Sequence, residues 1–206
     1  MKAEDLQSVR PGFDDPAMGS QAVFRRALQA LSLPGRKVEL PLVAQLRAHG
    51  QGAAALLLLA LLDSDSTLWL SPSLAGSDAQ AWLRFHTGCR CVSEPAQARF
   101  LWLAQGDTWP ALAQLDAGSD EYPDQSATCI MELSGLETSQ VDDYVLTGPG
   151  IKDELVLRAS GLPADFAEQW AANHASFPRG VDVFLTTGAH VIGLPRSVRL
   201  QHTVEC

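Results

Sequence analysis

Lysine is the scarcest charged residue in this 206-residue chain, occurring only at Lys2, Lys37 and Lys152 in a sequence of formal net charge −9. A nucleic-acid-binding face needs a surplus of basic residues, so nucleic acid is not an expected partner. Long apolar runs are missing too. The longest, AAALLLLALL over residues 53–62, spans about 15 Å as a helix, half of a hydrocarbon core. A buried core helix is expected there, and no membrane partner. The opening MKAEDLQSVRPGFDD lacks the apolar core of an export signal. Cys89, Cys91, Cys129 and Cys206 are too few for a disulfide framework in a chain of this length. The expected location is the cytoplasm.

The familiar catalytic signatures are absent as well. No G-x-x-x-x-G-K-[ST] loop is present to surround phosphates, and no G-x-G-x-x-G opens a helix. Ser126, in the turn-like 122–128 segment, lacks the G-x-S-x-G setting of a nucleophile. His86 with Cys89 and Cys91 offers soft ligand types, but their spacing matches no common zinc pattern, so no metal is expected. Cys129 sits mid-strand among apolar residues and reads as core.

What is present describes a folded globule, with 46% apolar and 19% charged residues. One domain over residues 1–206 is expected, with 1–11 flexible. Helices are expected over 42–49, 51–63, 78–86, 110–115 and 163–177. Trp82 and Phe85 point inward in the third of these, and Gly88 stands at its exit. Short apolar strands are expected over 37–40, 67–70, 100–103, 127–133 and 154–159. A hairpin over 181–186 and 191–194 turns at Gly188. Helices alternating with strands predict an α/β domain, a mixed sheet flanked by helices.

Three places carry chemistry. Arg84 and His86 close the 78–86 helix, where they can hold a phosphate-like anion or cap the last carbonyls. Arg179 precedes the first hairpin strand and Arg196 follows the second, which places them at opposite ends of the hairpin unless their flanks fold back. Asp182, inside an apolar strand, needs a partner, and an arginine is the natural one. Anion binding, structural pairing and subunit contact all stay open for Arg179, Asp182 and Arg196.

The most specific wording runs from Gly12 to Gly35, GFDDPAMGSQAVFRRALQALSLPG. Periodicity predicts a helix capped by Ser20, with Phe24, Ala27, Leu28 and Leu31 on the inward face and a stop at Pro34-Gly35. This segment resembles the H subunit of the bacterial carbon–phosphorus lyase core complex, the PhnH family. Further matches keep their order: 58–63 with Trp69-Leu70, 84–88, 123–128, 148–151, 177–182 and 194–199. Departures occur at Leu31, Cys89-Arg90, Asp124 and Ser197-Val198.

The resemblance implies a homodimerising subunit that assembles with G, I and J subunits. Together they transfer an alkylphosphonate to C1 of the ribose of a nucleoside triphosphate and displace the base. It also implies a fold similar to pyridoxal-phosphate-dependent transferases, without a working cofactor site. No cofactor is therefore expected, in keeping with the absence of a lysine suited to a Schiff base. This subunit is not expected to catalyse alone. The alternative is a stand-alone enzyme binding phosphonate or nucleotide through Arg84, His86, Arg179 or Arg196.

Overall fold

Five apolar segments bounded by turn residues form the middle of one sheet: Thr67–Leu70 (β2), Phe100–Leu103 (β4), Thr128–Glu132 (β5), Asp182–Thr187 (β9) and His190–Leu194 (β10). Val38–Glu39 (β1) and Arg90–Cys91 (β3) complete it, giving a seven-stranded order β1-β10-β9-β5-β4-β2-β3. These elements come from a computed structural model, which describes residues 11–41, 52–136 and 142–202. The helix expected over 42–49 and residues 1–10 of the start expected to be flexible lie outside the described residues.

Parallel ladders join β3, β2, β4, β5 and β9, and β10 runs against both its neighbours. Strands of this kind are covered on both faces, which is why their sequences read as continuous apolar runs. Trp102, Ile130 and Phe184 face one cluster, whereas Leu101, Leu103, Cys129, Met131, Val183 and Leu185 face the other. The first cluster lies beneath Pro16–Ser32 (α1), Gly52–Leu61 (α2), Pro72–Ala75 (α3) and Ala79–Thr87 (α4). Over the second lie Phe166–Ala175 (α5) and a four-stranded sheet, β11-β7-β8-β6. That sheet comprises Gly135–Leu136 (β6), Asp142–Thr147 (β7), Leu155–Ser160 (β8) and Arg199–His202 (β11). The fold is thus α/β with a mixed sheet flanked by helices. Among the described residues no helix is long and apolar enough to cross a membrane.

Several expectations need correction. Asp15, not Ser20, caps α1: its carboxylate accepts from the Ala17 and Met18 amides at 3.0 Å, and Pro16 follows at the first helical position. The buried face of α1 is Gly19, Val23, Ala27 and Ala30, so only Ala27 of the expected inward set is in the core. Phe24 and Leu28 stay 44% and 52% exposed. The helix carries two apolar stripes, and the one with small side chains wins because α1 lies close against β10. A Cβ on Gly193 would stand 2.5 Å from the Ala30 carbonyl oxygen. In α4, Trp82 is buried as expected, but Phe85 is exposed. The segment expected as a helix over 110–115 is a single 3₁₀ turn, Leu112–Gln114. β3, β6, β7, β11 and α3 were not anticipated, being short or, in β7, half polar and, in β11, largely polar.

Candidate functional site

β9 and β10 form an antiparallel hairpin in which Val183 lies opposite Leu194. The start of one strand and the end of its partner therefore meet at the open end, opposite Gly188. Arg179 and Arg196 lie at the same end of the hairpin, and the expectation of opposite ends is wrong. The reason is elementary: reversing chain direction brings the entering and leaving segments together.

At that open end Arg196 is the hub. Its amide and Nε donate to Asp182 Oδ1 at 2.8 and 3.2 Å, and its Nη2 donates to Asp182 Oδ2 at 2.6 Å. Nη1 reaches the carbonyls of Pro123 at 2.6 Å and Pro178 at 3.4 Å, and Nη2 also reaches Ser126 Oγ at 2.6 Å. A guanidinium has five N–H donors, and these bonds engage all of them. Arg196 is 13% exposed and Asp182 23%, so the forked pair is partly desolvated and ties the loops before β5 and β9 to the exit of β10. Asp182 does find its arginine. In this arrangement Arg196 has no donor left for an external anion.

The hub continues into α5. His174 Nε2 accepts from Arg199 Nε at 3.2 Å, which leaves Nδ1 to donate to the Arg196 carbonyl at 3.0 Å. Asn173 brackets Val181, donating to its carbonyl at 2.9 Å and accepting from its amide at 2.8 Å. Trp170, fully buried, donates Nε1 to the Val198 carbonyl at 2.8 Å. Beside these groups is a cleft of about 240 Å³ lined by Leu112, Leu115, Gln169, Asn173, Ser176 and Gly180 among others. Arg179, next to Gly180, pairs with Asp120 at 3.2 Å in an exposed ion pair.

Arg84 and His86 belong to a different locus. They occupy the last turn of α4, where Gly88, in the left-handed region at φ 76°, donates to the Arg84 carbonyl at 3.0 Å. The His86 ring packs edge-on against Trp82 and Phe85. Gly12 lies against it so closely that a Cβ there would stand 2.8 Å from Nδ1. The GFDDP lead is thus a packing device: Gly12 admits the imidazole and Asp15-Pro16 starts α1. Between β3, which follows α4, and β9 lie β2, β4 and β5, about 19 Å of sheet. The candidate residues therefore form two groups that do not converge.

Sequence reading missed the opposite edge, where the parallel strands end and α/β sheets commonly place ligands. Glu132, 3% exposed at the end of β5, accepts from Trp102 Nε1 at 2.8 Å. The signal was an acid inside ATCIMEL, a strand otherwise apolar. Nearby in the same edge, after β2 and β4, Asp107 accepts from the amide and hydroxyl of Ser73 at 2.9 and 2.8 Å. Burial opposes its charge, yet bonds from Ser71 and Ser73 hold its carboxyl below the usual range. Cys129 is fully buried, and desolvation pushes its thiol up to about 12. It remains a protonated core group, unsuited to nucleophilic work.

Comparison with known proteins gives this geometry its context. A sequence model described as bacterial phosphonate metabolism protein (PhnH) matches residues 11–201. The chain is 38% identical over 189 residues to the alpha-D-ribose 1-methylphosphonate 5-triphosphate synthase subunit PhnH of Rhizobium meliloti (strain 1021), covering 92% of this chain and 94% of that one. It is 36% identical over 181 residues to HtxG of Stutzerimonas stutzeri, named as a candidate C-P lyase subunit, covering 87% and 85%. A match across nearly the full described length, with the glycines and caps of its opening segment explained by packing, makes this chain a member of the PhnH family of bacterial phosphonate metabolism proteins.

Proposed function

We propose that the chain is the H subunit of an assembly that transfers an alkylphosphonate to C1 of the ribose of a nucleoside triphosphate, displacing the base. The observation that carries this reading is the 38% identity to a named synthase subunit over 92% of the chain. In this reading the chain supports catalysis by partners rather than performing it. Two features favour that division. Arg196 is committed to internal bonds, and the Arg84–His86 and Arg179–Arg196 groups stand far apart on the sheet. α1 meanwhile exposes Met18, Phe24 and Leu28, an apolar surface suited to cover by another chain.

The finer parts of the reading are a single domain, a homodimer, partnership with G, I and J subunits, and residence in the cytoplasm with its nucleotides. A likeness to pyridoxal-phosphate-dependent transferases, without a working cofactor site, belongs to the proposal too. Co-expression of a tagged chain with the G, I and J subunits tests the proposal. Stoichiometric co-purification, and loss of phosphonate transfer when this chain is omitted, are the expected results. A chain that stays apart from its partners in mild buffer, or a mixture that turns over without it, ends this reading.

One observation favours the alternative of an independent anion-binding enzyme: Arg179 is 48% exposed and adjoins the cleft beside Gly180. Calorimetry of the isolated chain with ATP, GTP and methylphosphonate separates the two. No heat at millimolar ligand is expected for a scaffold, and saturable heat lost in Arg179→Ala is expected for the enzyme.

A further inference from the structure

The cleft between α5 and the 3₁₀ turn Leu112–Gln114 measures about 240 Å³. At about 30 Å³ per water it has room for about eight waters, the bulk of one aromatic side chain. Leu112, Ala113, Leu115 and Ala172 give it an apolar wall. Its two amide side chains are already engaged. Gln169 Oε1 accepts from the Leu112 amide at 2.9 Å, and Asn173 holds Val181 from both sides. The cleft is thus short of polar groups that would orient a small metabolite. Its volume also falls below the roughly 300 Å³ at which such sites begin.

Two loops meet at its mouth, one leaving at Ala117 and the other arriving at Gly180. The Gly180 amide donates to the Ala117 carbonyl at 2.8 Å, and Arg179 pairs with Asp120. Arg196 Nη1 donates to the carbonyls of both Pro123 and Pro178. The residues before those prolines, Tyr122 and Phe177, are therefore brought to one corner, and each is more than half exposed. Aromatic side chains left in water beside an apolar recess mark a contact surface. The loop is also ordered in advance. The Tyr122 amide donates to Ser119 Oγ at 3.0 Å, and the Ala127 amide to the Asp116 carbonyl at 2.8 Å. An ordered surface loses little entropy when a partner arrives.

Charge decides what this corner accepts. Residues 113–125 include Asp116, Asp120, Glu121 and Asp124, all exposed, and no lysine, arginine or histidine. Arg179 answers Asp120, and Arg196 is taken by Asp182. Among the described residues Asp116, Glu121 and Asp124 form no ion pair. A phosphate or phosphonate meets a surplus of negative charge here, whereas a cationic chain is drawn in.

We propose that this corner docks a basic segment of a partner polypeptide. One large apolar side chain of the segment fills the cleft, and Tyr122 and Phe177 flank it. Its lysines or arginines stand against Asp116, Glu121 and Asp124. The proposal rests on the reading of this chain as a subunit of an assembly, and it names a face by which the subunit is held.

The test uses the full-length tagged chain co-expressed with the G, I and J subunits. The photo-reactive residue p-benzoylphenylalanine replaces Ala113 or Ser176, both exposed at the cleft, and the purified assemblies are irradiated. Both positions should cross-link to one partner peptide that has an apolar side chain and more lysine and arginine than acid. Ala172→Trp, which fills the cleft, should weaken association at least about tenfold. Its melting temperature should stay within about 2 °C of the parent. The combined variant Asp116→Asn, Glu121→Gln, Asp124→Asn should weaken association about tenfold at physiological salt, and by less at about 0.5 M. Asparagine there keeps an acceptor for the Gly118 amide, which Asp116 Oδ1 binds at 2.9 Å. An assembly that forms with no cross-link from either cleft position overturns the proposal. So does a cross-link to an acidic peptide or to a second copy of this chain, or full association of both variants. Saturable methylphosphonate binding that Ala172→Trp abolishes gives the cleft to a small anion and overturns it too. Failure to co-purify at all ends the subunit reading itself, and the docking site falls with it.

Discussion

Arg196 and Arg179 enter the same end of one hairpin and yet live in different physical worlds. Arg196 is 13% exposed, forked onto Asp182, and bonded to Pro123, Ser126 and Pro178 in the two loops before β5 and β9. Arg179 is 48% exposed and meets an Asp120 that is 85% exposed. The comparison shows that an arginine's residue type and position in sequence do not decide whether it binds outward. What decides is whether the protein has already filled its fork. A desolvated guanidinium must be satisfied by the fold, whereas a solvated one retains its water and its freedom.

The comparison breaks most visibly at the hub. Arg196→Ala leaves the Asp182 carboxylate partly buried without its cation and orphans Ser126 and two carbonyls. A loss of about 3 kcal/mol is expected, seen as a fall in melting temperature of about 6–12 °C for a domain of this size. Arg196→Lys should recover only part, since an ammonium lacks the planar fork. A melt for Arg196→Ala within 2 °C of the parent, on the order of the change expected for a surface residue, would remove the hub from the account.

The two stripes of α1 give the next contrast. Against the inner stripe, Gly193→Ala in β10 forces a methyl to 2.5 Å from the Ala30 carbonyl oxygen. Backbone must shift, at a cost of about 1–3 kcal/mol. On the outer stripe, Phe24→Ala should alter stability by less than about 0.5 kcal/mol while weakening any association that uses this face. Urea titration separates the two, and equal midpoints for both variants would mean the stripes are misassigned. Asp15→Ala sits between them, removing the acceptor for two amides at a cost of about 1 kcal/mol.

These contrasts also explain what could be read in advance. Strands such as Thr67–Leu70 and Phe100–Leu103 were legible because a short apolar run between turn residues has few other solutions. Gly88 was legible as a helix stop because only a left-handed residue closes α4 this way. The inward face of α1 was not, since two apolar stripes satisfy the same periodicity and only the approach of Gly193 chooses between them. The hub was half legible: Asp182 inside a strand demanded a cation. Pro123 and Ser126, 73 and 70 residues before Arg196, became its partners through parallel pairing of β5 with β9, which local pattern does not encode. Glu132 announced itself as a misplaced acid, but its partner Trp102 is set by a neighbouring strand.

The smallest expected effect is the sharpest test of the opening contrast. Arg179→Ala removes one exposed ion pair, and such pairs are worth about 0–1 kcal/mol. Its loop does not depend on that pair. Gly180 donates to the Ala117 carbonyl at 2.8 Å, and Asn173 holds Val181 from both sides. A double-mutant cycle with Asp120→Ala should therefore give a coupling below about 0.5 kcal/mol at physiological salt. It should strengthen modestly at about 0.01 M, where screening extends to roughly 30 Å. A salt-insensitive coupling above about 1 kcal/mol would place Arg179 among the committed cations with Arg196, and the exposed arginine beside the cleft would no longer favour an anion-binding role.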